Sequence, residues 1–484
     1  MVRLLNCTPK SNFGKQALIH FYIDKTTSAE VIVERAIQQL QIAAKGGIPQ
    51  LRHLAIRFSF TEYYLPEQPQ LDLLALLSIQ IRTAEAVVIE GSVFPFTVVW
   101  LERLLSLPDS DDILKVCCLK HSQPWLVMSD PWWLVPTHIP KPWGQEIWYT
   151  GIEARGQAEV MGAGGNIPLS WLLELMSERV GLNGSQPILL KVLDPLPDDV
   201  YGDLYFELHE EKQEVYVVTH VDQSAWPAGV GAIKLGFSAD TRESYQTDQE
   251  FKQAYLVAVK AYEQVRRLVD AKLDEKKAAA GIHLEHPVAN HQMTKWIKEL
   301  SQITENKELL NREISLREAM DSFTAKHPLV VGDVVTVPKL VPHALQHGVR
   351  VVEFQTPVYE RKILSFGQKV LTQPHWDTEA ALSLIDLNFA QLQQPETLSF
   401  DSHMKVERIV NFDDFEVRRI RLDGSCTLSG EEYSILIVVQ GDMVINAAEP
   451  RIVIAGQALL IPKSATGLSV SSKAPTIFLL ALPR

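Results

Sequence analysis

At 484 residues with 46% apolar side chains, the chain is long enough for two to four domains, each with its own core. Its formal net charge of −13 argues against general binding to nucleic acid or to an anionic membrane surface. An anionic small molecule would therefore need a local basic pocket.

No apolar run reaches transmembrane length, and the opening stretch MVRLLNCTPKSNFGK lacks the apolar segment of a signal peptide. Cys7, Cys117, Cys118 and Cys426 form no metal-binding spacing, so reduced thiols in a cytoplasmic protein are expected.

The first 130 residues read as an α/β domain. QALIHFYI (16–23), LRHLAIRFSF (51–60), AVVIEG (86–91) and ILKVCCLK (113–120) have the form of strands. A helix with a capping box over Thr27–Glu30 and a stop at Gly46-Gly47 carries Val33, Ile37, Leu40 and Ala44 at helical spacing. LDLLALLSIQI (71–81) and FTVVWLERLLSL (96–107) read as further helices. Cys117 and Cys118 would then point to opposite sides of a strand. No catalytic or phosphate-loop signature occurs in this segment, and its role is not legible. Residues 121–142, rich in Trp and Pro, read as an irregular surface linker. A helix over 167–176 and a buried strand, PILLKVLDP (187–195), follow.

The chemistry is concentrated in two stretches. GDLYFELHEEKQE (202–214) offers Glu207, His209 and Glu214; GDVVTVPKLVPH (332–343) offers His343. On a strand Glu207 and His209 share a face, and a turn at 210–212 would bring Glu214 back beside them. In the second stretch Gly332-Asp333 reads as a turn, VVTV as a strand ended by Pro338, and His343 as the start of the next strand. Two carboxylates and two imidazoles suit a divalent cation such as zinc, manganese or iron. Between the stretches, residues 245–327 read as helices, with Phe251, Tyr255, Tyr262, Val265, Val269 and Leu273 on one stripe. After 401, short strands with turn signals indicate a second barrel or sandwich. Within it GQALLIPK (456–463) repeats the Gly-x5-Pro-Lys of GDVVTVPK (332–339), with Gly467 answering His343.

Gly-x4-Glu-x-His-x4-Glu followed by Gly-x5-Pro-x4-His resembles the two motifs of the cupin superfamily. Glu207 in place of a first histidine, Lys212-x-Glu214, and the helices between the motifs resemble type I mannose-6-phosphate isomerases, whose first ligand is Gln. KPWGQEIWYT (141–150) is similar to a Pro-Trp-Gly strand of that family.

The resemblance implies a mainly β fold of tandem cupin barrels, the second degenerate, with a helical insertion and the N-terminal α/β domain. The metal-binding barrel would take 131–244 and 328–400, the insertion 245–327, and the degenerate barrel 401–484. It further implies one divalent metal, zinc foremost, held by Glu207, His209, Glu214 and His343. Lys212 and Arg361 would act on a sugar phosphate, with Lys362 and Tyr359 also contacting it. The loop between His209 and Glu214 is shorter than usual in the family. Tyr205 replaces a small hydroxyl residue, and Glu360 is inserted between Tyr359 and Arg361. The implied activity is conversion of mannose 6-phosphate to fructose 6-phosphate through a cis-enediol. The alternative is a non-catalytic sugar-binding or regulatory metal-cupin. Neither a nucleic-acid nor a membrane partner is expected, and oligomeric state is not legible.

Overall fold

The computed structural model describes residues 19–22, 27–45, 49–81, 86–107, 110–182, 184, 186–284, 286–388, 394–447, 450–465 and 467–484. The secondary structure is mainly β. Contacts divide the chain into two units: 1–137 with 148–188 and 396–484, and 138–147 with 189–395.

In the first unit a five-stranded sheet opens the chain. The helix Ala29–Ala44 is capped by Ser28, one residue later than the expected box, its Oγ accepting from the Val31 N–H at 3.3 Å. The expected stop at Gly46-Gly47 and the ends of the strand read at 16–23 lie outside the described residues.

Two elements differ in type from the reading. The stretch 71–81 is not a helix but part of the strand Gln70–Ile81, paired antiparallel with Gln50–Thr61 along its whole length. Its leucines are buried on both faces, and an unbroken apolar run carries no period to tell a central strand from a buried helix. Conversely ILKVCCLK is the helix Ile113–Lys120, which buries both Cys117 and Cys118. These two and Cys426 are free thiols; Cys7 lies outside the described residues.

The Trp-rich stretch is not a surface linker either. Trp132–Val135 is a strand between Glu159–Gly162 and Ala458–Ile461.

The second unit is a sandwich. One sheet runs, in spatial order, Val334–Val337, Glu214–Val221, Val349–Gln355, Leu189–Pro195, Gly144–Trp148, Thr137–Lys141. The other runs Thr324–Leu329, Gly231–Phe237, His343–Leu345, Phe206–Leu208, Lys362–Ser365. Alternation sends Leu193, Tyr216, Val218, Val335 and Val351 inward from the first sheet to meet Ile233, Leu235, Leu345 and Ile363 of the second.

The second sheet's outer face is covered by helices. Phe206, Leu208, Ala344 and Leu364 pack against Phe251, Tyr255, Val259 and Tyr262 of the helix Asp248–Ala279, with Met320 and Leu382. The helical run expected to reach 326 stops at Asp321, and Thr324–Leu329 returns as a strand beside Gly231–Phe237.

The chain's C-terminal part is a second sandwich, of the same plan. In chain order the strands Leu189–Pro195, Phe206–Leu208, Glu214–Val221, Gly231–Phe237, Thr324–Leu329, Val334–Val337, His343–Leu345 and Val349–Gln355 have counterparts. These are Phe415–Leu422, Ser425–Leu428, Ser434–Gln440, Asp442–Asn446, Pro450–Ile454, Ala458–Ile461, Leu468–Ser471 and Thr476–Pro483. Neighbour relations match strand for strand across both sheets of each. Gly332 (φ 94°) and Gly456 (φ 85°) make the same left-handed turn before corresponding strands, which explains the repeated Gly-x5-Pro-Lys.

The loop feeding Phe206–Leu208 depends on a close backbone approach. A Cβ on Gly202 would stand 1.9 Å from the Leu196 carbonyl oxygen. Gly202→Ala should therefore cost about 1–3 kcal/mol, the usual range for overpacking, read as a lower urea midpoint with unchanged slope.

Candidate metal centre

Glu214 begins the strand Glu214–Val221, and His343 begins His343–Leu345; His209 directly follows Phe206–Leu208. Inward parity places all three at one point inside the sandwich. Ligand atoms of His209, Glu214 and His343 lie within 4.8 Å of one another, and all three side chains are buried. The Nε2 atoms stand 3.3 Å (His209) and 3.2 Å (His343) from the two oxygens of Glu214.

The hydrogen bonds behind the imidazoles fix their tautomers. His209 Nδ1 donates to the Glu360 carbonyl (3.1 Å) and His343 Nδ1 to the Val341 carbonyl (3.2 Å). A neutral imidazole that donates from Nδ1 presents a lone pair at Nε2. His209 Nε2 is buried and makes no hydrogen bond, although a carboxylate oxygen is near. The two Nε2 atoms and the Glu214 carboxylate thus converge on one buried point. This donor set fits a divalent cation such as zinc, and the backbone carbonyls behind the rings do what second-shell partners do in metal sites.

Burial keeps His209 neutral. Its removal from water, reinforced by the Lys212 ammonium, holds its pKa well below the ordinary value of 6.5. For Glu214 burial pushes the other way, but Lys212 and the two imidazoles prevail and hold it well below 4.5. Lys212 Nζ sits 2.9 Å from one oxygen, and the Tyr216 hydroxyl donates to the other at 2.6 Å.

Glu207 lies just outside this set. It pairs across strands with His343, yet its Oε2 stands 3.6 Å from Arg361 and has no hydrogen-bond partner. Arg361 lies over the Tyr205 ring at 4.6 Å and donates to Thr372 Oγ1 at 2.9 Å. Arg361 and Lys362 have different neighbours. Lys362 pairs with Leu208, whose side chain faces the helices, and its ammonium binds Glu210 at 2.7 Å. Tyr359 is half-buried, its ring 6.0 Å from Lys191 Nζ.

Comparison with solved structures yields one fold. A mannose 6-phosphate isomerase from Bacillus subtilis matches with a TM-score of 0.50 at 14% identity, over 73% of this chain and 99% of that one. A mutant phosphomannose isomerase from Salmonella typhimurium gives 0.49 at 13%, over 73% and 99%. A zinc-bound mannose 6-phosphate isomerase gives 0.48 at 12%, over 73% and 100%. No family model matches the chain, and no curated protein matches its sequence. The likeness to the Bacillus enzyme is one of fold.

Several polar residues of the same interior were not singled out by motif. Lys191, Glu353 and Gln355 face inward from adjacent strands, with Lys191 Nζ 2.5 Å from Gln355 Oε1. Glu353, in register with Tyr216 and Lys191, is 2% exposed; burial pushes its carboxyl up to about 8, against the pull of Lys191, with Glu214 adding to the rise. Lys141 and Glu146 pair at 2.9 Å. The available signal was a charge inside an apolar strand run, as in ILLKVL and VVEF, at inward parity. A further group, Asp199, Asp203 and His347, is a loop brace: Asp203 accepts from both the backbone and ring N–H of His347, on which Trp226 stacks.

The Glu353 shift has a stability consequence with a definite sign. A carboxyl that holds its proton more tightly folded than unfolded contributes stability below its unfolded pKa and loses it as pH rises towards its folded one. Relative to Glu353→Gln, the cation-free wild type should lose stability between about pH 4.5 and about pH 8. Paired thermal melts across that range measure it.

Proposed function

We propose that this chain is a metal-dependent aldose–ketose isomerase that converts mannose 6-phosphate to fructose 6-phosphate. The observation that carries this reading is the convergence of two imidazole Nε2 atoms and a buried carboxylate, the rings oriented from behind by backbone carbonyls. The fold likeness to a mannose 6-phosphate isomerase supports it. In this reading the second unit, 138–147 with 189–395, is the metal-binding cupin domain, with its helical insertion ending at Asp321, and 401–484 is a copy without a metal.

His209, Glu214 and His343 would hold the cation, zinc by the softness and number of the donors, with Glu207 next to them. A bound dication supplies Lewis acidity to the oxygens on C1 and C2 of the sugar. The chain's own groups supply the rest. Lys212 holds Glu214 in place and keeps N–H donors beside the cage. Arg361 offers its planar fork to an anionic oxygen. Glu353, inward-facing in register with Lys191 and Tyr216, is the candidate base: as the carboxylate it would take the proton from C2 and return it at C1 of the cis-enediol. Tyr205, Tyr216 and Phe366, all buried, pack in the core of the same sandwich.

One observation favours the non-catalytic reading. Lys212, Arg361 and Lys362 are each already opposite a carboxylate: Glu214, Glu207 and Glu210.

A coupled assay with mannose 6-phosphate, before and after chelation, decides between them. The wild type should turn over in a chelator-sensitive way, and His343→Ala should lose roughly 100-fold or more in activity along with its bound metal. One metal per chain without turnover would instead leave a sugar-binding or regulatory cupin.

A further inference from the structure

Glu207 stands between Arg361 and the proposed cation cage. On one side, across the strand pair, is His343; two residues along the strand is His209. On the other side is Arg361, anchored by the Tyr205 ring and Thr372. The contact with Arg361 is loose at 3.6 Å, and the Glu207 Oε2 is buried with no hydrogen bond. A buried carboxylate oxygen left without a partner costs free energy, so it is poised to gain one.

We propose that Glu207 is an exchangeable ligand that couples anion binding to cation binding. A phosphate monoester takes the Arg361 fork, Glu207 is released, and its carboxylate completes the set of His209, Glu214 and His343. The inference rests on reading that set as a cation site, though not on turnover. Because the coupling is thermodynamic, the anion must tighten cation binding by the factor with which the cation tightens anion binding. Site specificity follows. The anionic end of the substrate is recognised through the exchange of the Glu207 carboxylate for the phosphate at Arg361, and an uncharged sugar triggers no exchange.

The same inward strand supports the geometry. Tyr205 and Glu207 alternate with Phe206 and Leu208, which are locked against the helices. The movement required is therefore confined to the Glu207 side chain. Arg361 keeps its place because its other contacts, to Tyr205 and Thr372, do not involve Glu207.

The test measures cobalt(II) affinity by calorimetry and by the metal's visible absorption, in the presence of inorganic phosphate, mannose 6-phosphate or mannose. In the wild type both phosphates should tighten cobalt(II) binding about fivefold or more and change its spectrum, while mannose does neither. Tightening by mannose 6-phosphate alone places the exchange under the sugar's control; tightening by both assigns it to the phosphate group. In Glu207→Gln and in Arg361→Met the tightening should vanish. Cobalt(II) affinity that ignores both phosphates in the wild type would overturn the proposal, as would tightening that persists in Glu207→Gln. Should Glu207→Gln fail to fold, persistence in Arg361→Met overturns it equally. Absence of isomerase activity leaves these readouts untouched, so the two ideas fail separately.

Discussion

A single buried carboxylate, Glu214, constrains the rest of the second unit. It is 2% exposed at the first position of its strand. An ion in that setting would cost several kcal/mol without compensation. Compensation comes from four directions: the Lys212 ammonium, the Tyr216 hydroxyl and the two imidazoles. Each of these is in turn held by backbone. The turn between Pro338 and His343 bends through Leu340 at φ 63°, a conformation that a branched side chain rarely adopts. Its N–H donates to the His209 carbonyl at 2.7 Å, and its own carbonyl accepts from Asp386. From the other side, the Glu360 carboxylate accepts from the N–H groups of Glu210 and Glu211, while its carbonyl orients His209. Two loops more than a hundred residues apart are thus shaped around one charge.

The second sandwich shows what the same plan becomes without that charge. Equivalent positions follow from register. Glu214 opposes Val337 as Ser434 opposes Ile461, and His343 opposes Glu207 as Leu468 opposes Leu428. The four positions Glu207, His209, Glu214 and His343 therefore correspond to Leu428, Gly430, Ser434 and Leu468. The repeated sequence pattern had aligned Gly467 with His343; the strand start moves the match by one residue. Leu428 and Leu468 pack into an apolar interior with Leu436, Met443 and Phe478. Burying alkyl groups there contributes favourable transfer free energy, whereas the first sandwich accepts buried polar groups whose value lies in what they bind.

What could be read from the sequence divides along a physical line. His209, Glu214 and His343 were legible because strand parity, a turn and Pro338 together dictate where side chains point. Glu207 was legible as a neighbour, but its contact with Arg361 depends on side-chain placement that spacing does not encode. Arg361 and Lys362 were indistinguishable until their strand partners were known, since a shift of one residue reverses the face. Lys191 and Glu353 were passed over because a charge within an apolar run has no local signature of its destination. The helix–strand reversals at 71–81 and 113–120 have the same origin. Runs such as LDLLALLSIQI and ILKVCCLK are apolar on every side, and only tertiary neighbours decide between the two conformations.

The helical insertion has a mechanical place in this scheme. Two of the strands that carry the cage, Phe206–Leu208 and His343–Leu345, are three residues long. So short a ladder cannot hold a ligand set to the tolerance that coordination demands. Their outward residues Phe206, Leu208 and Ala344 are instead clamped by Phe251, Tyr255 and Val259. In the second sandwich the counterpart strands Asp442–Asn446 and Pro450–Ile454 pair with no helix between them among the described residues, and the outward residues Ser425 and Thr427 are exposed. The copy with the His209–Glu214–His343 cluster is the copy backed by helices, and the copy without that cluster lacks the backing. Precision at the cage is thus built on the far face of the sheet, by apolar burial between elements that contribute no ligand.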